Sequence, residues 1–297
     1  MNQTNLALKK LKGIKPKGVK VKDKSTFEIL FEGYQKVVAE WDPKYGIDNA
    51  DLLEIPRLIS ADLDNDLMKN TEFKKSHLDD FILASNEWDI CGDEEVYRGI
   101  YTGALLTLLS KRTKQRGEKA EFCFNGDGMI YPFLFYAASH MDVLVLRNFN
   151  GHHIGNFINK FDEEFSDRAV LIHNNVFGQE NGNCYNDNCI GVTLGCYSNS
   201  KTFKQDYSSI ESIKNNFAVT VGRVNTYLYA TGYQLFLPEF NELRSSRVNL
   251  DNILYEYLKL KETRELLLNS LNSSDDELLN VGINLKNKYD NIYNKIK

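Results

Sequence analysis

The chain has 297 residues, 42% hydrophobic and 26% charged, with a formal net charge of −5. That is ordinary globular composition, long enough to bury at least one core. No apolar run approaches the roughly 18–20 residues needed to cross a bilayer. The amino terminus also carries no apolar export segment, so a cytoplasmic protein with no membrane contact is expected.

The sign of the charge is uneven. Residues 1–24 hold eight lysines against one acid, Asp23, so the rest of the chain is more acidic than the net value. This basic flexible arm offers an electrostatic contact to nucleic acid or to an acidic partner. With no Arg and no aromatic residue among the lysines, a solvated tail is the plainer reading. Cys91, Cys123, Cys184, Cys189 and Cys196 make an odd cysteine count. Reduced thiols are therefore expected.

A helical region is expected over 25–117. Ser25-x-x-Glu28 is a capping box, and Phe27, Leu30, Phe31, Tyr34, Val37, Val38 and Trp41 follow on one face, up to Asp42-Pro43. Shorter helices follow, broken at Pro56 and around Asn70. Asp62-Leu-Asp64-Asn-Asp66 lacks the later Gly and Glu of a calcium loop. Gly92-Asp93 opens the strongest helix of this half, closed by Lys111–Gly117. Its Gly99 and Gly103 lower helix propensity and so mark close packing against something flat.

From Phe122 to Lys201 the chain repeats itself. Val143-Leu-Val-Leu-Arg-Asn-Phe-Asn-Gly151-His-His-Ile-Gly155-Asn156 is matched by Val170-Leu-Ile-His-Asn-Asn-Val-Phe-Gly178-Gln-Glu-Asn-Gly182-Asn183, 27 residues on. Phe122-Cys-Phe124 followed by Asn125-Gly126-Asp127-Gly128 is an earlier, degraded copy. Cys189–Leu194 and Phe217–Arg223 read as further strands. Two architectures make strand and Gly-rich turn at such a period. One is a β-solenoid over 118–240, with Gly126, Gly128, Gly151, Gly155, Gly178 and Gly182 as structural corners and Asn residues forming ladders. The other is a Rossmann-like α/β core with Met129–His140 as its first helix and Asp127 and Gly128 at a phosphate. The later gaps lack room for amphipathic crossover helices, which favours the solenoid.

These glycine positions and the strands before them resemble the GXGXG right-handed β-helix domain. That domain ends the glutamate synthase large subunit and also occurs in formylmethanofuran dehydrogenase. The resemblance spans about 80 of the 297 residues, and it implies a right-handed parallel β-solenoid acting as a scaffold. The Lys160–Phe165 insertion departs from the family's shorter coils.

Stacking the copies would place His152 over Gln179 and His153 over Glu180, with His173, Cys184 and Cys189 close in sequence. These six residues (His152, His153, His173, Glu180, Cys184 and Cys189) are the candidate ligand or divalent-metal positions. Their spacing is too loose for a zinc motif, and hydrogen-bonded ladders with buried thiols are the commoner use. No nucleophile elbow, Walker loop or His-Glu-x-x-His is present, so no catalytic residue and no cofactor are assigned. After the aromatic segment Asn225–Leu237, residues 248–297 read as a helical hairpin. Its Ser274-x-x-Glu277 cap leads into a seam of Leu278, Val281, Leu285, Tyr289, Ile292 and Ile296, open to a protein partner or self-association. The sequence therefore points to an α+β chain that is a non-catalytic cytoplasmic scaffold or protein-interaction module. The enzyme alternative is a nucleotide- or sugar-phosphate-dependent activity on the Rossmann-like core.

Overall fold

The computed structural model describes residues 24–40, 55–88, 90, 92–156, 158, 169–177, 189–194, 217–221, 226–230, 233–236, 262, 266, 269, 270 and 272–294; over 189–236 it describes the backbone. The basic arm up to residue 23, Cys91, Cys196, Gly178, Gly182, Glu180 and Cys184 lie outside the described residues.

Five helices are described, α1 (Thr26–Glu40), α2 (Ile55–Asn65), α3 (Lys75–Asn86), α4 (Asp93–Gln115) and α5 (Asp275–Asn294). The first is started by the capping box read from sequence. The Ser25 amide donates to Glu28 Oε2 at 2.6 Å and the Glu28 amide to Ser25 Oγ at 3.2 Å. Ser274 and Glu277 repeat the arrangement before α5. Pro56 sits in the first turn of α2, where its missing N–H costs nothing. Buried Leu30, Tyr34, Ile59, Leu63, Phe81 and Tyr101 knit α1, α2 and α3 onto α4. Of the aspartates of 62–66, Asp64 serves this packing, taking two guanidinium N–H bonds from Arg112 of α4.

Seven strands lie in sequential order, β1 (Glu121–Asn125), β2 (Val143–Arg147), β3 (Ala169–Asn174), β4 (Cys189–Leu194), β5 (Phe217–Val221), β6 (Thr226–Ala230) and β7 (Tyr233–Phe236). The first five are parallel, and β5, β6 and β7 pair antiparallel. Val143 pairs with Val170, so the 27-residue repeat is the register of β2 on β3.

The solenoid expectation is corrected here. β1–β3 form a small open parallel sheet, neither closed nor curled into a coil, and the sheet runs out into an antiparallel hairpin. Among the described residues, the stretches after β1 and β2 that would have begun an opposite wall are chains of turns. From Tyr131 to Ala138, three overlapping turns close through Leu134 N–H to Tyr131 O, Tyr136 N–H to Phe133 O and Ala138 N–H to Phe135 O. The third residue of each, Phe133, Phe135 and Ala137, has φ of 58°, 58° and 52°. A positive φ at that position alone is the type II signature, and Pro132 stands where type II favours proline. Gly151, His153 and Gly155 repeat the alternation. Backbone of this kind cannot lie as a strand, and only single bridges join Ile130, Asn150 and Phe177. The Rossmann-like alternative fails on the same segment, since Met129–His140 holds turns where a crossover helix was required. The fold expected from the GXGXG domain goes with the solenoid.

The result is a layered α+β fold. Phe122, Phe124, Leu144, Leu146, Leu171 and His173 share the sheet face toward the turn layer, where Gly155 backs onto Leu146, Leu171 and His173. Val143, Val145, Val170 and Ile172 share the other face, where Gly282 of α5 meets Val143 and Ile172. Leu278, Val281 and Leu285 of the α5 seam are buried there, so the sheet occupies this part of the seam. Lys288 reaches Glu262 at 3.7 Å, which brings the segment before α5 back alongside it. Asp142 ties the layers together. It is 5% exposed, accepts from the Ala120 amide at 2.8 Å, and lies 3.3 Å from Lys114 Nζ and 3.9 Å from Lys286 Nζ.

On the far side of the turn layer α4 offers two glycines and two threonines. A Cβ at Gly99 would overlap Phe133, and one at Gly103 would overlap the Tyr136 carbonyl. Thr102 Oγ1 accepts from Phe135 N–H at 3.2 Å, and Thr107 Oγ1 from Ser139 N–H at 3.0 Å. Gly103→Ala should therefore destabilise the protein, although Ala is the better helix former by about 1 kcal/mol. A loss of about 1–3 kcal/mol is expected in urea unfolding; a gain in stability would refute the backbone contact.

Candidate functional site

The parallel strands end at one edge of the sheet, where open α/β sheets place their ligand sites. In this protein that edge is a row of amides. Asn148 Nδ2 donates to Asn125 Oδ1 at 3.0 Å, and Asn175 Nδ2 donates to Asn148 Oδ1 at 3.2 Å. Asn148 and Asn175 both have left-handed φ, 54° and 53°, a conformation asparagine tolerates better than most residues. Each repeat contributes one amide, and hydrogen bonding across the strands aligns them.

α5 closes the row. Its first residue, Asp275, accepts from Arg147 Nη1 at 2.8 Å and, at longer range, from Asn125 Nδ2. Arg147 Nε is buried and has no hydrogen-bond partner among the described residues. Cys123 lies on the same sheet face as Arg147 and is half-buried. Burial first, and the nearby Asp275 carboxylate second, push its thiol up to about 12. At neutral pH this is an unreactive thiol.

The glycine loop after β1 has no free donors for a phosphate. Gly126 N–H goes to Arg147 O at 2.8 Å, Gly128 N–H to Asn148 O at 2.7 Å, and Asp127 N–H to Asn125 Oδ1 at 3.1 Å. The other expected corners are placed as follows. Gly126 packs against the Phe149 ring, and Gly128, Gly151 and Gly155 have positive φ. Gly151 N–H donates to Phe177 O at 2.8 Å.

The histidines do not converge. His152 and His153 are half-buried on Phe133, with His153 stacked at 4.8 Å and His152 edge-on at the same distance. The Asn156 amide nitrogen lies 2.9 Å from His153 Nδ1. His173 is on the inner face of β3, 2% exposed, and burial alone lowers its imidazole to about 4. Cys189 opens β4, paired with Ala169. Among the described residues, no three His, Cys, Asp or Glu side chains lie together as a metal site.

Sequence reasoning passed over Arg147, Asp275, Asp142 and Lys286. The first is visible only as the strand residue preceding the laddered Asn148. The other three are joined by contacts between elements far apart in the chain, which local spacing does not display. No protein-family model, curated protein or solved structure matches this chain.

The buried imidazole makes stability depend on pH. The unfolded chain takes up a proton at His173 near 6.5, whereas the folded chain resists down to about 4. Its contribution to stability is therefore full above pH 6.5 and declines as pH falls through that window. His173→Leu should flatten the acid side of the stability curve by up to about 1.4 kcal/mol per pH unit. Urea midpoints measured across the window check this, and an unchanged slope would contradict a neutral buried His173.

Proposed function

We propose that the protein is a non-catalytic binding protein whose repeat layer is a rigid platform for a protein partner. The observation that carries this reading is the use to which the repeat's donors are put. Among the described residues, the side-chain amides of Asn125, Asn148, Asn150 and Asn175 and the N–H groups of Gly126, Asp127, Gly128 and Gly151 are all engaged within the protein, from one repeat to the next, within a turn or with α5. Two groups that could have served catalysis, His173 and Cys123, are set away from it. A general base works best near the operating pH and a nucleophilic thiol needs a lowered pKa; His173 is held near 4 and Cys123 near 12.

What the layer offers outward is shape and apolar surface. The bridge row Ile130, Asn150, Phe177 crosses three repeats. Ile130 is 66% exposed and Phe177 39%. Residues in register on neighbouring strands stand about 4.8 Å apart, so this row is a short fixed ruler that an extended segment of a partner can follow.

The test compares wild type with the double variant Ile130→Lys, Phe177→Lys, checked for unchanged circular dichroism. In cross-linking mass spectrometry from extract of the source cells, one protein should be captured at this row by wild type and lost by the variant. Equal capture by both removes this surface from the proposal. Turnover of a nucleotide or sugar phosphate by pure wild type, abolished by Asp127→Ala without unfolding, would refute the non-catalytic reading altogether.

A further inference from the structure

Three Asn-Gly dipeptides fall within the repeat region, Asn125-Gly126, Asn150-Gly151 and Asn181-Gly182, the last outside the described residues. An asparagine before glycine is prone to a reaction with its own backbone. The next nitrogen can reach the side-chain carbonyl carbon, because glycine has no Cβ in the way. In that step the Gly126 nitrogen bonds to Cγ of Asn125 and its proton passes to the departing amide. The Cγ–Nδ2 bond breaks, and ammonia leaves. Water then opens the five-membered imide at one of its two carbonyls, giving aspartate or isoaspartate. Only water is consumed, and nothing is oxidised or reduced.

Both ends of that reaction are restrained in the fold. The attacking nitrogens are engaged as donors, Gly126 N–H to Arg147 O and Gly151 N–H to Phe177 O, each at 2.8 Å. The leaving amides are engaged as well, Asn150 Nδ2 to Gly128 O at 2.8 Å and Asn125 Nδ2 to Asp275 at 3.3 Å. Asn125 also accepts two hydrogen bonds, from Asp127 N–H and Asn148 Nδ2. A nitrogen cannot attack while its N–H is held away from the side chain in a ladder.

The two sites differ in exposure and neighbours. Asn150 lies between paired segments on either side, bridged to Ile130 and Phe177. Asn125 is exposed at the end of β1, which is the edge of the sheet and pairs on one side only. Edges open at lower free energy than interior strands. The products also differ in effect. A carboxylate at 125 would no longer donate to Asp275 and would set a second negative charge 3.3 Å from it. Arg147, 2.8 Å from the same carboxylate, would then be shared between two anions.

We propose that Asn125-Gly126 and Asn150-Gly151 are latent self-modification sites held unreactive by the pairing between repeats. Asn125 is the first to react when the edge opens, and its conversion loosens the start of α5 from the sheet.

The experiment incubates the full chain at mildly alkaline pH, folded and in urea, and follows each Asn-Gly peptide by mass spectrometry. Both described sites should react at least about tenfold more slowly in the folded protein, with Asn125 ahead of Asn150. Equal rates in the two conditions, or Asn150 leading, would overturn the gating. The consequence for α5 is read by hydrogen exchange over residues 275–285. Asn125→Asp and the deamidated protein should exchange faster there than wild type, while Asn125→Gln, whose larger imide forms far more slowly, should neither deamidate nor loosen to that extent. Exchange unchanged in Asn125→Asp would overturn the link to α5.

Discussion

Everything in this fold is arranged about the contact between the backbone of α4 and the backbone of the turn layer. A helix covered in ordinary side chains holds a neighbour some 8–10 Å from its axis. Gly99 and Gly103 remove that spacing, so Phe133 and the Tyr136 carbonyl rest on the helix itself. Thr102 and Thr107 then accept N–H groups that turns would otherwise leave bare. Buried Arg98 adds a third tie, donating to Ser85 O and lying over the Tyr131 ring. Space, hydrogen bonding and charge all hold one segment against one helix.

That support explains how bulky residues persist in left-handed backbone. Each costs roughly 1–2 kcal/mol, and Phe133 and Phe135 are two of them. Burial of a Phe side chain returns about 1.5–3 kcal/mol; Phe135 is fully buried and Phe133 nearly so. The strain is met by packing on α4 on one side and by the second turn segment on the other. A row of amides then finishes the layer at the strand ends. The site is thereby a product of the fold's own hydrogen-bond accounting, in which polar groups of one repeat satisfy those of the next.

Much of this could be read from the residues. Both capping boxes, the extent of α4, its two close-packing glycines and the 27-residue register are set by local chemistry, and local chemistry shows in sequence. The Asn rows were legible as a consequence of repeats lying side by side. The turn layer was not. Met129–His140 is apolar enough to pass for a helix, and nothing local says that Phe133 and Phe135 take positive φ; that choice is imposed by α4. The open sheet was missed for the same reason, since a repeat period specifies which strands are neighbours and leaves open what returns between them. The α5 seam shows apolar spacing well, but spacing does not name the surface it covers. For the ligand candidates, proximity in sequence stood in for proximity in space: His173 faces inward while His152 and His153 sit on Phe133.

The late position of α5 has a consequence for synthesis. Val143, Val145, Val170 and Ile172 form an apolar sheet face that, among the described residues, α5 packs against, and α5 is encoded after the seven described strands. While the chain is being made, the sheet can pair before its cover exists, and an exposed face of this kind invites association with other nascent chains. Asp142 waits there too, with Lys114 already beside it and Lys286 still to come. Until α5 has been made and has docked, this apolar face is a surface through which unfinished chains can associate.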